Sequence, residues 1–189
     1  MTVSLKATTT RTRSLRLLVL ALVLAPLPLV GSTCFRVPVT ASAPRGLYLL
    51  TYRPPARDEW VVACLPARQG RFGRRRGYLA GGRCPGGASE VLKRVAALPG
   101  DLVTVAPCGL AVDGRLLPGT ARRRHDSAGR PVPSIPSGTY RVAAGSVWLY
   151  SAHSPASWDS RYYGPVPLAD VRSDARLLFS TLFDANPLR

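Results

Sequence analysis

An uncharged apolar segment at residues 17–35 most constrains how this chain can fold, because it directly follows a basic N-terminus. Leu, Val and Ala dominate the segment, and as an α-helix it would be about 28 Å long, enough to cross the hydrocarbon core of a bilayer. Basic residues before such a span keep the N-terminus in the cytoplasm. We therefore expect a cytoplasmic N-terminus at residues 1–16, a transmembrane anchor at residues 17–35 and an exported domain at residues 36–189.

Two prolines leave an alternative open for this segment. Pro26 and Pro28 could kink a membrane helix, or they could end the apolar core of a cleavable signal peptide at residues 17–25. No clean small-x-small cleavage site follows, so we favour a retained anchor in contact with membrane lipid.

The charge of the chain raises the question of a nucleic-acid partner. Of its 26 basic residues only Lys6 and Lys93 are lysines, and the formal net charge is +16. Because the arginines are scattered except at residues 74–76 and 122–124, solvated loops explain them better than a phosphate-binding surface, and we expect no nucleic acid. A chain that uses arginine almost everywhere makes Lys93 notable, since only lysine readily loses its proton.

Beyond residue 35 the pattern is mainly β: short apolar runs alternate with Gly, Pro and Asp, without helical periodicity. An Asp113–Gly114 pair between apolar residues predicts a hairpin turn. Two segments rich in Gly, Pro and Arg, residues 66–89 and 118–138, are predicted to be surface loops. Strands are predicted at residues 46–52, 60–65, 91–98, 102–106, 110–112, 140–142, 147–150 and 175–178.

The four cysteines do not have the spacing of a metal site. No CxxC pair occurs, and both histidines are distant in sequence from every cysteine, so we expect neither a metal ion nor a cofactor. An exported domain would fold in an oxidising compartment, where a structural disulfide is plausible. We expect a bond between Cys64 and Cys84, which would close the Arg-rich loop between them.

Three sequence patches occur in a characteristic order behind the predicted anchor. They are TASAPRGLY at residues 40–48, KRVAALPGD at residues 93–101 and SWDSRYYGP at residues 157–165. Together they resemble the signal peptidase family of Ser/Lys proteases, and the SxPxGLY form of the first patch resembles the TraF-type branch of conjugative transfer systems. A fourth stretch, DEWVVACLP at residues 58–66, is similar to a strand of the same family.

The resemblance implies a signal-peptidase-like β-fold and a role for each matched residue. Ser42 would be the nucleophile, Lys93 the general base and Thr40 an oxyanion donor. The last patch supplies Ser157, which would hold the lysine amine, and a supporting ion pair between Asp159 and Arg161. The sequence departs from the family just upstream, where residues 150–153 read YSAH.

The chemistry of such a pair requires an unusual lysine. A serine hydroxyl needs a base to remove its proton, and a lysine amine can serve only after burial has lowered its pKa from about 10.4. Strand alternation predicts that Lys93 shares a buried face with Val91 and Val95, while Arg94 points to the other face. Taken alone, a single lysine is more often an exposed cation at a strand edge, and Ser42 an ordinary turn residue.

The resulting hypothesis is a serine endopeptidase anchored in the inner membrane. Its periplasmic domain would cleave exported precursor proteins, and the closer resemblance implies a conjugative pilin subunit as substrate. One alternative is a general type I signal peptidase, and another is a non-catalytic basic scaffold of a secretion or conjugation channel. A Ser/His/Asp triad built from His153 or His125 with Asp159 or Asp126 is disfavoured, because no GxSxG nucleophile elbow is present.

Overall fold

The computed structural model of the protein describes residues 34–38 and 42–180. The chain divides into two compact units, Met1–Arg36 and Val37–Arg189. In the part described, no helix is both long and apolar enough to span a membrane. Most of the predicted anchor, residues 17–33, lies outside the described residues, as does Thr40.

Strands form most of the regular structure, so the mainly β expectation is confirmed. The described part of the first unit contains strand β1 (Phe35–Arg36). The described part of the second unit contains two helices, α1 (Ala67–Arg76) and α2 (Ser160–Tyr163), and two short 3₁₀ helices, Pro85–Gly87 and Leu168–Asp170. Its strands are β2 (Gly46–Thr51), β3 (Trp60–Ala63), β4 (Gly81–Cys84), β5 (Val91–Ala97), β6 (Leu102–Ala106), β7 (Gly109–Val112), β8 (Arg115–Leu116), β9 (Gly138–Arg141), β10 (Ser146–Tyr150), β11 (Val166–Pro167) and β12 (Val171–Ser180).

The larger sheet of the second unit has the strand order β2-β12-β3-β5-β10-β11, and its paired strands are antiparallel. Strand β5 lies inside this sheet, between β3 and β10, where Val61 is the register partner of Lys93. Along β5, residues Val91, Lys93 and Val95 are buried, whereas Arg94 is partly exposed and lies over the Trp60 ring. The predicted alternation along this strand is therefore confirmed, and it places one cation inside the fold.

The second sheet is a four-stranded antiparallel unit with the order β8-β7-β6-β9. The predicted turn at Asp113–Gly114 joins β7 to β8, and both residues have positive φ, 49° and 83°. Two positive φ values are the signature of the tight hairpin turn that an Asp-Gly pair favours. The inner face of this sheet contributes a second apolar cluster around Trp148.

The prediction of a surface loop at residues 66–89 is wrong. This segment contains α1, β4 and a 3₁₀ helix, and it buries Leu79 and Ala88 in the main core. Gly70 and Gly73 would usually weaken a helix. Here they allow close packing, because a Cβ at Gly70 would lie 2.7 Å from the Pro85 carbonyl oxygen and one at Gly73 would lie 2.8 Å from Leu79 Cδ1.

A disulfide between Cys64 and Cys84 closes the part of the chain that contains α1 and β4. The Sγ atoms of Cys64 and Cys84 are 2.08 Å apart, the pairing expected from the sequence. Cys64 directly follows β3 of the large sheet, and Cys84 ends β4. The bond therefore gives the helical segment a second attachment to the end of β3, besides the chain itself.

Candidate active site

Lys93 is the centre of the candidate site, because it is a cation placed almost entirely out of solvent. Its side chain is 2% exposed, and its Nζ donates a 2.6 Å hydrogen bond to Ser157 Oγ, which is also buried. Val61, Val95 and Leu149 belong to the apolar cluster that surrounds this part of β5. Water is thus largely excluded from the amine.

Burial changes the acid–base chemistry of this lysine. Loss of hydration lowers the pKa of Lys93 from 10.5 to about 8. The nearby carboxylate of Asp159 opposes the shift, and the positive charge of Arg161 adds to it. A useful fraction of the amine is therefore neutral near physiological pH, which is the state that a general base requires.

Residues 151–161, which follow β10 and include the first two residues of α2, connect Lys93 to the region around Ser42. Ser157 accepts the hydrogen bond from Lys93, and Ser151, six positions earlier, donates from Oγ to the Ser42 carbonyl oxygen at 2.5 Å. Ser42 itself is partly buried and lies shortly before β2, next to the buried Ala43. One short stretch of chain thus contacts both residues that the sequence analysis singled out.

A fully buried ion pair holds this segment in shape. Arg161 donates from Nε to Asp159 Oδ1 at 2.8 Å and from Nη2 to Asp159 Oδ2 at 2.7 Å, and both side chains are 0% exposed. Asp159 also accepts from the backbone N–H of Ser151 at 3.1 Å. The remaining Arg161 donors contact backbone carbonyls of Gly119, Ala121, Ser151 and Ser157. The bidentate geometry explains why arginine is needed here.

Residues that follow Ser157 form an aromatic cluster with α1. The Trp158 ring stacks on Phe72 with centroids 5.0 Å apart and on Tyr162 at 5.7 Å, and it meets Tyr163 edge-on at 5.3 Å. This cluster covers the side of the 151–161 segment that faces the helix. The helix missed by the sequence analysis is therefore a structural neighbour of the candidate site.

Ser151 was not predicted as a site residue, although the YSAH stretch at residues 150–153 departs from the family pattern. Its position after the predicted strand at residues 147–150 does not by itself indicate a role. In the structure Ser151 is 0% exposed, so its hydroxyl needs a partner. Ser160, another buried serine, accepts a 2.9 Å hydrogen bond from the backbone N–H of Leu149 and attaches α2 to the same strand.

The carboxylates of the alternative triad hypothesis have other partners. Asp159 binds Arg161, and Asp126 accepts hydrogen bonds from Tyr78 and Arg130. His125 is exposed within its loop. Within residues 34–38 and 42–180, no group of three or more His, Cys, Asp or Glu side chains could hold a metal ion.

Comparison with known proteins gives a consistent result. The family model described as signal peptidase, peptidase S26, matches residues 11–180. A plasmid transfer protein TraF of Escherichia coli is 41% identical over 138 residues, which cover 72% of this chain and 77% of that protein. A probable conjugal transfer protein TraF of Sinorhizobium fredii is 35% identical over 180 residues, which cover 90% of this chain and 94% of that protein.

Among solved structures, a signal peptidase I from Enterococcus faecalis aligns with a TM-score of 0.38 at 21% identity, over 66% of this chain and 98% of that one. The family assignment depends on the sequence matches, which span most of the chain. The resemblance inferred from the three patches is confirmed: this chain belongs to the signal peptidase family, peptidase S26, and is related to TraF conjugal transfer proteins.

Proposed function

We propose that the protein is a serine endopeptidase in which Ser42 is the nucleophile and Lys93 the general base. The observation that supports this most strongly is the buried Lys93 amine, which is 2% exposed and has a pKa near 8. A lysine placed in a core at this energetic cost is typical of a site that uses its proton chemistry. Membership of the signal peptidase family supplies the reaction class.

The proposed reaction uses the Lys93 amine twice. The neutral amine takes the Ser42 hydroxyl proton as Oγ attacks the scissile carbonyl carbon, and the resulting ammonium then protonates the departing amine as the C–N bond breaks. This leaves an ester between Ser42 and the precursor. Water gives a proton to the same amine as it attacks the ester carbon, and the ammonium returns that proton to Ser42 Oγ as the ester C–O bond breaks. Ser157 would orient the amine, and Thr40 would help to bind the oxyanion.

We propose an exported precursor protein as the substrate, and a conjugative pilin subunit as the specific one. The names of the relatives, plasmid transfer and conjugal transfer proteins, support the conjugative context. In this proposal residues 17–35 anchor the chain in the inner membrane, and the catalytic unit acts in the periplasm on substrates that emerge at the outer face.

The test compares processing of a candidate pilin precursor by the detergent-solubilised full chain and by two variants. Ser42→Ala and Lys93→Met should each abolish the cleaved product, while circular dichroism shows an unchanged fold. Ser137→Ala, which alters an exposed serine, is the matched control and should retain full activity. Mass analysis of the product ends identifies the cleaved bond. Processing that survives both site substitutions would refute the proposal and favour a non-catalytic scaffold.

A further inference from the structure

A pocket of about 450 Å³ lies between α1 and the aromatic residues that follow Ser157. Phe72, Trp158 and Tyr163 line it as aromatic walls, and Arg68, Gln69 and Arg75 line it from the helix. Its volume is within the range of sites that hold a few side chains of a ligand. None of the described residues that line it is acidic.

The arginines of this pocket have no acidic partner among the residues that the structure describes. Arg68 and Arg75 are seven positions apart, about two turns, and so lie on one face of α1 with Phe72 between them. Across the described residues, neither guanidinium group has a hydrogen bond or an ion pair, and both side chains are exposed. Two unpaired guanidinium groups on either side of an aromatic surface are suited to bind a ligand that carries an anionic group next to an apolar one.

Three residues that line the pocket also carry buried polar atoms without a partner among the described residues. Trp158 Nε1, the Tyr163 hydroxyl and Gln69 Oε1 are buried, and none has a hydrogen-bond partner among the described residues. Buried polar groups are normally paired. Burial also raises the pKa of the Tyr163 phenol well above its usual range, so this hydroxyl keeps its proton and can donate. Two residues that line the pocket, Trp158 and Tyr163, therefore carry unpaired donor groups beneath its surface.

The position of the pocket indicates what would occupy it. Trp158 directly follows Ser157, the residue that binds Lys93 Nζ, so the pocket and the base are attached to the same short segment. We propose that this pocket binds an acidic side chain of the precursor substrate, with a neighbouring apolar residue against Phe72 and Trp158. The inference rests on the proposed function and adds a substrate preference to it.

Binding can be measured without cleavage by using the full chain with Ser42→Ala in detergent. The probes are two short Ala-rich peptides that differ only in a central Glu-Phe or Gln-Phe pair, and the readout is the indole N–H signal of Trp158 in ¹H–¹⁵N spectra, assigned with Trp158→Phe. We expect the Glu peptide to shift this signal and to bind about tenfold more tightly than the Gln peptide, because a charge-assisted hydrogen bond contributes roughly 1.4 kcal/mol or more.

Paired variants separate a specific site from general attraction to a basic protein. Arg68→Gln with Arg75→Gln should remove the preference for Glu. Arg71→Gln with Arg83→Gln changes the net charge equally at exposed residues outside the pocket lining, and it should leave the preference intact. Equal binding of both peptides, or equal loss in both double variants, would overturn the proposal. A third result would indicate a lipid headgroup as the ligand and would also overturn the proposal. In that case phosphatidylglycerol micelles shift the Trp158 signal, the shift depends on Arg68 and Arg75, and neither peptide shifts it.

The outcomes for the pocket and for the reaction are distinguishable. Precursor cleavage that depends on Ser42 but has the same kcat/KM in both arginine double variants would overturn the pocket proposal and leave the proposed function standing. Cleavage that persists in Ser42→Ala would overturn the proposed function, and the peptide-binding result would still decide whether the pocket recognises an acidic side chain.

Discussion

Titration of Lys93 provides a quantitative test of the site, and the perturbation is pH alone. The shift of its pKa from 10.5 to about 8 corresponds to about 3 kcal/mol of preference for the neutral amine in the folded protein. About a tenth of the amine would be neutral at pH 7 and about nine-tenths at pH 9. An exposed lysine would be only about 3% neutral at pH 9.

The sequence makes this titration simple to observe. Lys6 and Lys93 are the two lysines of the chain, so selective ¹³C labelling of lysine gives two Cε signals in the full protein. Lys6→Arg assigns them by removing one. We expect the Lys93 signal to titrate with a midpoint near 8, well below that of Lys6.

The same shift predicts how stability depends on pH. Because the folded pKa lies below the unfolded pKa, the contribution of Lys93 to stability is fully present above about pH 10.5 and is lost as pH falls through about 8. Relative to Lys93→Met, the wild-type free energy of unfolding should therefore rise by about 3 kcal/mol between pH 7 and pH 11. A constant difference between the two proteins, or a Lys93 midpoint above pH 10, would refute the reasoning from burial.

Further predictions concern activity, the ion pair and the disulfide. If Lys93 is the base, kcat/KM for a precursor should rise about tenfold per unit below pH 8 and level off above it, as a pH–rate series would show. Asp159→Asn leaves the buried Arg161 charge uncompensated and should lower the free energy of unfolding by roughly 3–5 kcal/mol, measured by urea unfolding. The control Arg57→Gln removes an exposed ion pair and should change this free energy by less than about 1 kcal/mol. Replacing Cys64 and Cys84 by Ala should cost about 3 kcal/mol, because the bond closes a loop with a sequence separation of 20, and thermal unfolding would measure the loss.

The sequence predicted the strands well because their signal is local. Alternation along residues 91–95 identified the buried side chains Val91, Lys93 and Val95 of β5, and the Asp113–Gly114 turn was correct in position. The order of strands in the sheet depends on contacts between distant residues, as between β3, β5 and β12, and no local pattern encodes it.

Helix α1 was missed for a physical reason. Its sequence, ARQGRFGRRR, has two glycines and a single large apolar residue, so it lacks the apolar stripe that predicts an amphipathic helix. The glycines are favourable here only because Pro85 and Leu79 approach them closely, which is a tertiary property.

The candidate site also has parts that the sequence predicts and parts that depend on tertiary contacts. Residue types and the order of three patches were sufficient to single out Ser42, Lys93, Ser157, Asp159 and Arg161. In the structure a chain of hydrogen bonds runs from Lys93 through Ser157 and Arg161 to Asp159. The contribution of Ser151 could not be inferred, since it depends on a carbonyl group more than a hundred positions away in the chain.

The shared attachment of Ser42 and Lys93 to residues 151–161 has a consequence for how this family can vary. A single insertion or deletion between Ser151 and Ser157 would alter the distance between the two attachment points even if every side chain of the site were retained. The number of residues in this stretch is therefore constrained as strongly as the identity of its side chains. A homologue with a different number of residues here would need a compensating change in the residues that precede β2.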